Sequence, residues 1–190
     1  MNAFDHVLVL LSFVYALALT HLLSRIAGLY FARKRVRYSG LAAILIVIAI
    51  LMVFFSWLEL WPFRNTPSWD LASVIVQFVY AIELYFLCAL AAPEIVAEGT
   101  IDLDAYYWEE FRPFYGLLAA TVLTAMAGNF TFLRTNDLST FWSWQIGSLP
   151  AFPPLILAIA VRARWAQWAA GALAILFIVV LNIILVGIIR

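Results

Sequence analysis

Charged side chains are scarce in this sequence. Asp, Glu, Lys and Arg make up only 12% of its 190 residues, while 66% are hydrophobic. An average soluble chain has about 25% charged and about 45 to 50% apolar residues. The shortage of charge therefore excludes an ordinary soluble protein and indicates an integral membrane protein.

Histidine and cysteine are also scarce, with two histidines and one cysteine. Cys88 alone cannot form an internal disulfide. With so few potential metal ligands, the sequence contains none of the usual motifs for zinc or for carboxylate-bridged metals. The sequence contains no His-Glu-x-x-His, Gly-x-Ser-x-Gly or phosphate-binding glycine-rich motif. We therefore predict no enzyme, no metal site and no cofactor.

Haem or chlorophyll ligation by His21 or His6 is kept as a minor alternative. The two histidines lie on one predicted helix, about 22 Å apart along its axis. They cannot hold the same iron, so a second ligand would have to come from another subunit.

The sequence has no excess of charge of either sign, with 11 basic and 11 acidic residues. A nucleic-acid partner is therefore excluded, because such proteins carry basic patches. The expected partners are membrane lipids and other integral membrane subunits.

Long apolar runs fill most of the chain. A helix that crosses the hydrocarbon layer needs about 20 mostly apolar residues. This template predicts six spans, at 4–31, 40–63, 70–92, 113–134, 147–162 and 167–189. The fifth should be short or broken, because Pro150, Pro153 and Pro154 interrupt it. We predict an all-α, polytopic membrane helical bundle with about six transmembrane helices, forming a single domain over residues 1–190.

The loop 31–38 carries four of the eleven basic residues. The positive-inside rule therefore predicts that this loop is cytoplasmic and that both termini lie on the outer side of an inner (plasma) membrane. The polar connector 93–113 should share the cytoplasmic face. There we expect Asp104 to cap a short interfacial helix over 105–112, followed by a kink at Pro113.

Small residues recur at every fourth position in spans 1 and 4. They are Ser12, Ala16, Thr20, Ser24 and Gly28 in the first span and Gly116, Ala120, Thr124 and Gly128 in the fourth. Such ridges let helix backbones approach closely in lipid. We predict that spans 1 and 4 form the tightly packed centre. The two sets of three spans could also form an inverted repeat, although any six-span protein divides in this way.

His21 and Glu83 fall at similar predicted depths, about 15 and 13 Å from the cytoplasmic ends of their helices. Thr121 and Thr124 reach the same level, and Arg25 lies one turn from His21. Charged groups deep in a membrane usually face the bundle interior and a partner. We therefore predict that His21 and Arg25 meet Glu83. The contact would be either a static structural pair or a protonation-linked or ligand-binding site, unless the side chains point apart.

A second polar layer is expected nearer the outer surface. It comprises His6, Glu59, Gln77, Asn129 and Asn182. These polar residues are explained by hydration or by side chains that reach the membrane–water interface. We therefore predict no transport pathway through this layer.

Three functions are compatible with this sequence. Minimal loops and an apolar periphery favour an accessory or structural subunit, or an interaction partner, in a larger membrane assembly. A proton- or solute-coupled transporter or channel, with its site at His21 and Glu83, is the main alternative. A binder of an apolar ligand or cofactor is the third.

Overall fold

The computed structural model describes residues 3–61, 69–95, 99–131 and 138–187. It is an all-helical bundle. The helices are α1 (Ala3–Phe31), α2 (Gly40–Leu58), α3 (Leu71–Ala91), α4 (Leu103–Thr131), α5 (Leu138–Ser148), α6 (Phe152–Ala160) and α7 (Arg164–Gly187). A 3₁₀ turn, Leu149–Ala151, joins α5 to α6, and two short strands are β1 (Val36–Arg37) and β2 (Ile101–Asp102).

Five of the described helices, α1, α2, α3, α4 and α7, are long and apolar enough to span a membrane. The predicted fifth span, 147–162, is instead divided between the end of α5, the 3₁₀ turn and α6. With nine residues, α6 is about 14 Å long, roughly half of the hydrocarbon thickness of about 30 Å. The break coincides with the prolines, as predicted.

The fourth span begins ten residues earlier than expected. α4 runs without interruption for 29 residues and contains Pro113. The prediction of a separate interfacial helix over 105–112 is therefore wrong. A proline removes one backbone hydrogen bond from a helix interior. Pro113 lies on an exposed part of α4, where the helix continues past it.

Asp102, rather than the predicted Asp104, caps the start of α4. Its Oδ1 accepts hydrogen bonds from the backbone N–H groups of Asp104 (2.9 Å) and Ala105 (3.1 Å). This is the usual geometry of an N-cap aspartate. The backbone hydrogen bond from Ala105, followed by that from Asp104 and the charge of Arg37, lowers the pKa of Asp102.

Helix α3 lies at the centre of the bundle, packed against α1 on one side and α4 on another. Helix α2 packs against α3 and α7, and α6 fills the space between α4 and α7. The prediction that spans 1 and 4 form the centre is therefore wrong. The large side chains Leu11, Tyr15 and Leu22 supply the buried face of α1, and this face contacts α3.

The small-residue ridges do not meet each other. On α1, the ridge faces largely outward: Ala16, Thr20 and Ser24 are exposed, and Ser12 and Gly28 are half-buried. On α4, Gly116 is exposed, Ala120 and Thr124 are half-buried, and Gly128 is buried. A Cβ at Gly128 would lie 3.5 Å from Val76 of α3. The α4 ridge therefore approaches α3 rather than α1.

The polar segments before α2, before α4 and before α7 meet at one end of the bundle, which we call the basic-loop end. β1 and β2 pair in parallel, and Arg37 binds Asp102 at 3.0 Å. Asp104 accepts hydrogen bonds from Ser39 (3.2 Å) and Arg164 (2.5 Å). The basic loop and the polar connector thus share one end, as predicted, although exposed ion pairs of this kind contribute little stability.

Candidate functional site

Glu83 of α3 faces α4. Its Oε1 accepts a hydrogen bond of 2.9 Å from Thr124 Oγ1, while its Oε2 is buried and has no hydrogen-bond partner in the described structure. Thr121 is fully buried and donates to the carbonyl of Leu117 in its own helix. Of the two predicted threonines, Thr124 is therefore the one that contacts Glu83.

His21 does not reach Glu83. Its ring lies 5.6 Å from the ring of Tyr85, tilted by 38°, and its Nε2 is buried without a partner among the described residues. Tyr85 follows Glu83 by two positions, which is about 200° around a helix with 3.6 residues per turn. Glu83 therefore faces α4 while Tyr85 faces α1, and the predicted pair is wrong because α3 separates the two groups.

Arg25 also binds elsewhere. Its Nη1 donates to the backbone carbonyl oxygens of Ala89 (2.5 Å) and Ala92 (2.6 Å). These carbonyls belong to the end of α3, where the last four C=O groups have no partner within the helix. A positive charge is favourable at this negative end of the helix dipole. Arg25 therefore caps α3 and fastens α1 to it, and the predicted approach of Arg25 to Glu83 is wrong.

A separate polar cluster lies at the end of the bundle opposite the basic-loop end. Ser56 Oγ of α2 donates to the carbonyl of Met52 (2.5 Å) and lies 2.8 Å from the hydroxyl of Tyr80 on α3. Because the single hydroxyl hydrogen of Ser56 is used on Met52, Tyr80 must donate to Ser56. The oxygen of Tyr80 keeps its acceptor capacity.

Glu59 lies beside this contact, in the turn that follows α2. The side-chain amide of Asn182 on α7 donates a hydrogen bond to its carboxyl group, and Glu59 interacts electrostatically with the phenols of Tyr15 and Tyr80. Tyr15 and Asn182 are only 3% and 4% exposed. We call Tyr15, Ser56, Glu59, Tyr80 and Asn182 the opposite-end cluster.

Two members of the opposite-end cluster keep unused polar atoms. The Tyr15 hydroxyl and Asn182 Oδ1 are buried and have no partner in the part of the chain that the structure describes. The Nδ2 of Asn182 donates to the carbonyl of Ile178 at 2.9 Å, which fixes the amide. These two unused buried oxygens mark the opposite-end cluster as a candidate site.

The remaining members of the predicted outer layer lie elsewhere. His6 is exposed, and Gln77 approaches Gly128, with 3.8 Å between its Nε2 and a Cβ placed there. Asn129 donates to Gln145 at 3.4 Å, and Gln145 donates to the carbonyl of Met126 at 3.2 Å. These contacts fasten α5 to α4.

Sequence reasoning missed a third polar group, centred on Gln167 of α7. This side chain is fully buried. Its Oε1 accepts from the Tyr107 hydroxyl (2.7 Å), and its Nε2 donates to the carbonyl oxygens of Ala158 (2.8 Å) and Val161 (2.6 Å). Gln167 therefore holds the end of α6 and joins it to α4.

The described residues contain no group of three or more His, Cys, Asp or Glu side chains that could hold a metal ion. Comparison with known protein families, curated proteins and solved structures finds no match to this chain. A function is therefore inferred from the contacts and exposed surfaces of the described helices.

Proposed function

We propose that the protein is an interaction partner or accessory subunit in a larger membrane assembly, and that it docks through the outward face of α1. The observation that supports this proposal is the exposure of Ala16, Thr20 and Ser24, spaced four residues apart on one face of the helix. The chain buries the other face of α1 against α3. The described bundle leaves these three residues uncovered, whereas Ser12 of the same ridge accepts a hydrogen bond from Trp57 at 3.2 Å.

Small ridges favour helix association in membranes for a physical reason. Lipid tails are as apolar as leucine, so helices associate through close van der Waals contact and interhelical hydrogen bonds. Alanine, threonine and serine permit close backbone approach, and the hydroxyls of Thr20 and Ser24 can bond across the interface. The proposed occupant is a transmembrane helix of another subunit with a similar small-residue face.

The proposed function also specifies how the protein is oriented in the membrane. The positive-inside rule favours a cytoplasmic location for the basic-loop end in an inner (plasma) membrane. The partner helix would then lie within the same membrane, beside α1.

Substitution of Thr20 by leucine tests this docking face. We expect Thr20→Leu to reduce the amount of co-purified partner at least tenfold, which corresponds to about 1.4 kcal/mol, because the larger side chain keeps the backbones apart. The folded yield should be unchanged, since Thr20 is exposed. The measurement is quantitative mass spectrometry of a mild-detergent pull-down from the native membrane.

Ala172→Leu is the matched control, because Ala172 is an exposed small residue on α7. It should leave the co-purified partner unchanged. Equal recovery of partner with Thr20→Leu, or no stoichiometric partner with the unmodified protein, would contradict the proposal. Capture of a second copy of this chain would identify the partner helix as α1 itself.

A proton-coupled carrier is the second candidate function, and the unpartnered Oε2 of Glu83 favours it. We expect Glu83→Gln to abolish proton flux into proteoliposomes under an imposed pH gradient. Glutamine keeps the acceptor oxygen for Thr124 but cannot release a proton at neutral pH. Thr124→Val, which removes the donor to Glu83, should retain flux at a reduced rate. Absence of flux in the unmodified protein would remove this candidate.

A further inference from the structure

We propose that Arg112 and Arg162 form a binding site for the headgroup of an anionic phospholipid at the basic-loop end of the bundle. Arg112 belongs to α4, and Arg162 lies in the connector between α6 and α7. Neither residue belongs to α1, so the site stands independently of the docking proposal.

Trp108 of α4 brings the two arginines together. The Cζ of Arg162 lies 5.7 Å from the centre of the Trp108 ring, within the range of a cation–π contact. Arg112 follows Trp108 by four positions, which is about 40° around the helix and about 6 Å along its axis. Its Cζ lies 5.5 Å from the centre of the Phe111 ring, and the rings of Phe111 and Trp108 are themselves 5.5 Å apart. The two positive charges therefore flank one aromatic pair.

The backbone that carries Arg162 is held against the same part of α4. Gln167 donates to the carbonyl oxygen of Val161 at 2.6 Å and accepts from the hydroxyl of Tyr107 at 2.7 Å. Each of these two partners directly precedes one member of the contact between Arg162 and Trp108. One buried side chain thus joins the connector to α4, so the position of Arg162 does not depend on the cation–π contact alone.

Both guanidinium groups are left without a counter-charge. The ion pairs between described residues use two other arginines, Arg37 and Arg164. Arg112 and Arg162 are exposed and make no ion pair or side-chain hydrogen bond within the described part of the chain. Glu109 precedes Arg112 by about one helical turn but forms no ion pair with it. The N–H groups of both arginines are therefore available to an outside anion.

An anionic phospholipid matches these arginines in charge and in depth. Arginine binds phosphate oxygens through its planar set of N–H donors, and basic sites between transmembrane helices bind anionic headgroups. Trp108 is half-buried and belongs to the residue type that lies at headgroup level. A zwitterionic lipid also has a phosphate, but its ammonium group would be repelled by the second arginine.

The surface beyond Arg112 can accept an acyl chain. Gly116 lies one turn further into α4 and is exposed, and a Cβ placed on it would meet nothing within 4 Å. No described side chain therefore blocks the path of a lipid tail along α4 below the headgroup.

The site is tested by native mass spectrometry of the purified full-length protein in mild detergent. The protein is titrated with phosphatidylglycerol or with phosphatidylcholine of identical acyl chains. We expect the first molecule of phosphatidylglycerol to bind more tightly than phosphatidylcholine, by about fivefold for each arginine. An excess of inorganic phosphate should not displace it, because a free anion lacks the acyl chain.

Arg112→Gln and Arg162→Gln are the decisive variants, because each removes one charge from an exposed side chain. We expect each to weaken the binding of phosphatidylglycerol about fivefold, and the double variant to lose the preference over phosphatidylcholine. The matched control is the double variant Arg33→Gln, Lys34→Gln, which removes two exposed charges from the basic loop at the same end. It should leave the binding of the first phosphatidylglycerol unchanged.

Three outcomes would overturn the proposal. They are equal affinity of the unmodified protein for the two lipids, equal loss of binding in the site variant and the control variant, and displacement of the lipid by inorganic phosphate. If Arg162→Gln lowers the melting temperature, Arg112→Gln alone decides, because its side chain makes no hydrogen bond in the described structure. Unchanged binding of phosphatidylglycerol to Arg112→Gln would then contradict the site.

Discussion

Replacement of Gln167 by leucine is expected to lower the free energy of unfolding by about 2 to 4 kcal/mol. Single interhelical hydrogen bonds in membrane proteins average only about 0.6 kcal/mol. Gln167, however, makes three. Leucine satisfies none of them, so the Tyr107 hydroxyl and the carbonyls of Ala158 and Val161 all lose a partner. The measurement is reversible unfolding in mixed detergent micelles, followed by circular dichroism.

Tyr107→Phe is the graded comparison, because it removes one of the three bonds and keeps the aromatic ring. We expect a loss of about 1 kcal/mol. If Gln167→Leu cost no more than Tyr107→Phe, the carbonyls at the end of α6 would not depend on Gln167. The role assigned to this side chain would then be wrong.

Gly171→Ala should destabilise the protein by about 1 to 3 kcal/mol, as overpacking of a tight core does. A Cβ at this position would lie 2.6 Å from Cγ2 and 3.2 Å from Cδ1 of Ile44. These contacts are too short, so either the Ile44 side chain must leave its position or α2 and α7 must move apart. Gly171→Leu should prevent their packing and abolish the folded yield, which size-exclusion chromatography and thermal unfolding in detergent would measure.

Ile44→Leu provides the rescue experiment. Leucine branches at Cγ rather than Cβ, so it lacks the Cγ2 methyl that meets the new Cβ, while the volume is conserved. The double variant should regain part of the lost stability. Gly116→Ala is the control, because a Cβ there meets nothing within 4 Å. It should gain up to about 1 kcal/mol from helix propensity. Equal stability of Gly171→Ala and Gly116→Ala would show that the approach is not tight.

The bounds of two of the described helices follow closely from the sequence. The predicted spans 4–31 and 70–92 agree with α1 (Ala3–Phe31) and α3 (Leu71–Ala91) within one residue, because charged and proline-containing segments end the apolar runs. The start of α4 was missed for a related reason. Its first turns alternate aromatic and charged residues, which lowers the hydropathy although the helix continues.

The rotation of each helix could not be predicted in the same way. In a soluble helix, polar residues mark the solvent face, but in lipid both faces are apolar. Counting residues along each helix therefore predicts that His21 and Glu83 lie at the same depth. It does not show that His21 lies on the α1 side of α3 while Glu83 faces α4. The hydrogen-bond acceptors of Arg25 are backbone carbonyl groups. Every residue has such a group, so the sequence does not indicate which of them Arg25 contacts.

The opposite-end cluster could not be predicted because its members are distant in the sequence. The sequence predicts Glu59 and Asn182 in an outer polar layer and Tyr15 in an apolar span. Each residue has an ordinary explanation when considered alone. Their association depends on the packing of α1, α2 and α7, which hydropathy does not encode.

The contact between α2 and α7 joins the second of the described helices to the last of them. During synthesis, Ile44 and the face of α2 around it lack their contact with α7 until the ribosome has made Gly171 and the rest of that helix. For most of translation, lipid or an insertion factor must therefore occupy that face. The contacts among α1 to α6 can form before α7 is made, so the closure of α7 onto α2 is among the last of the described helix contacts to form.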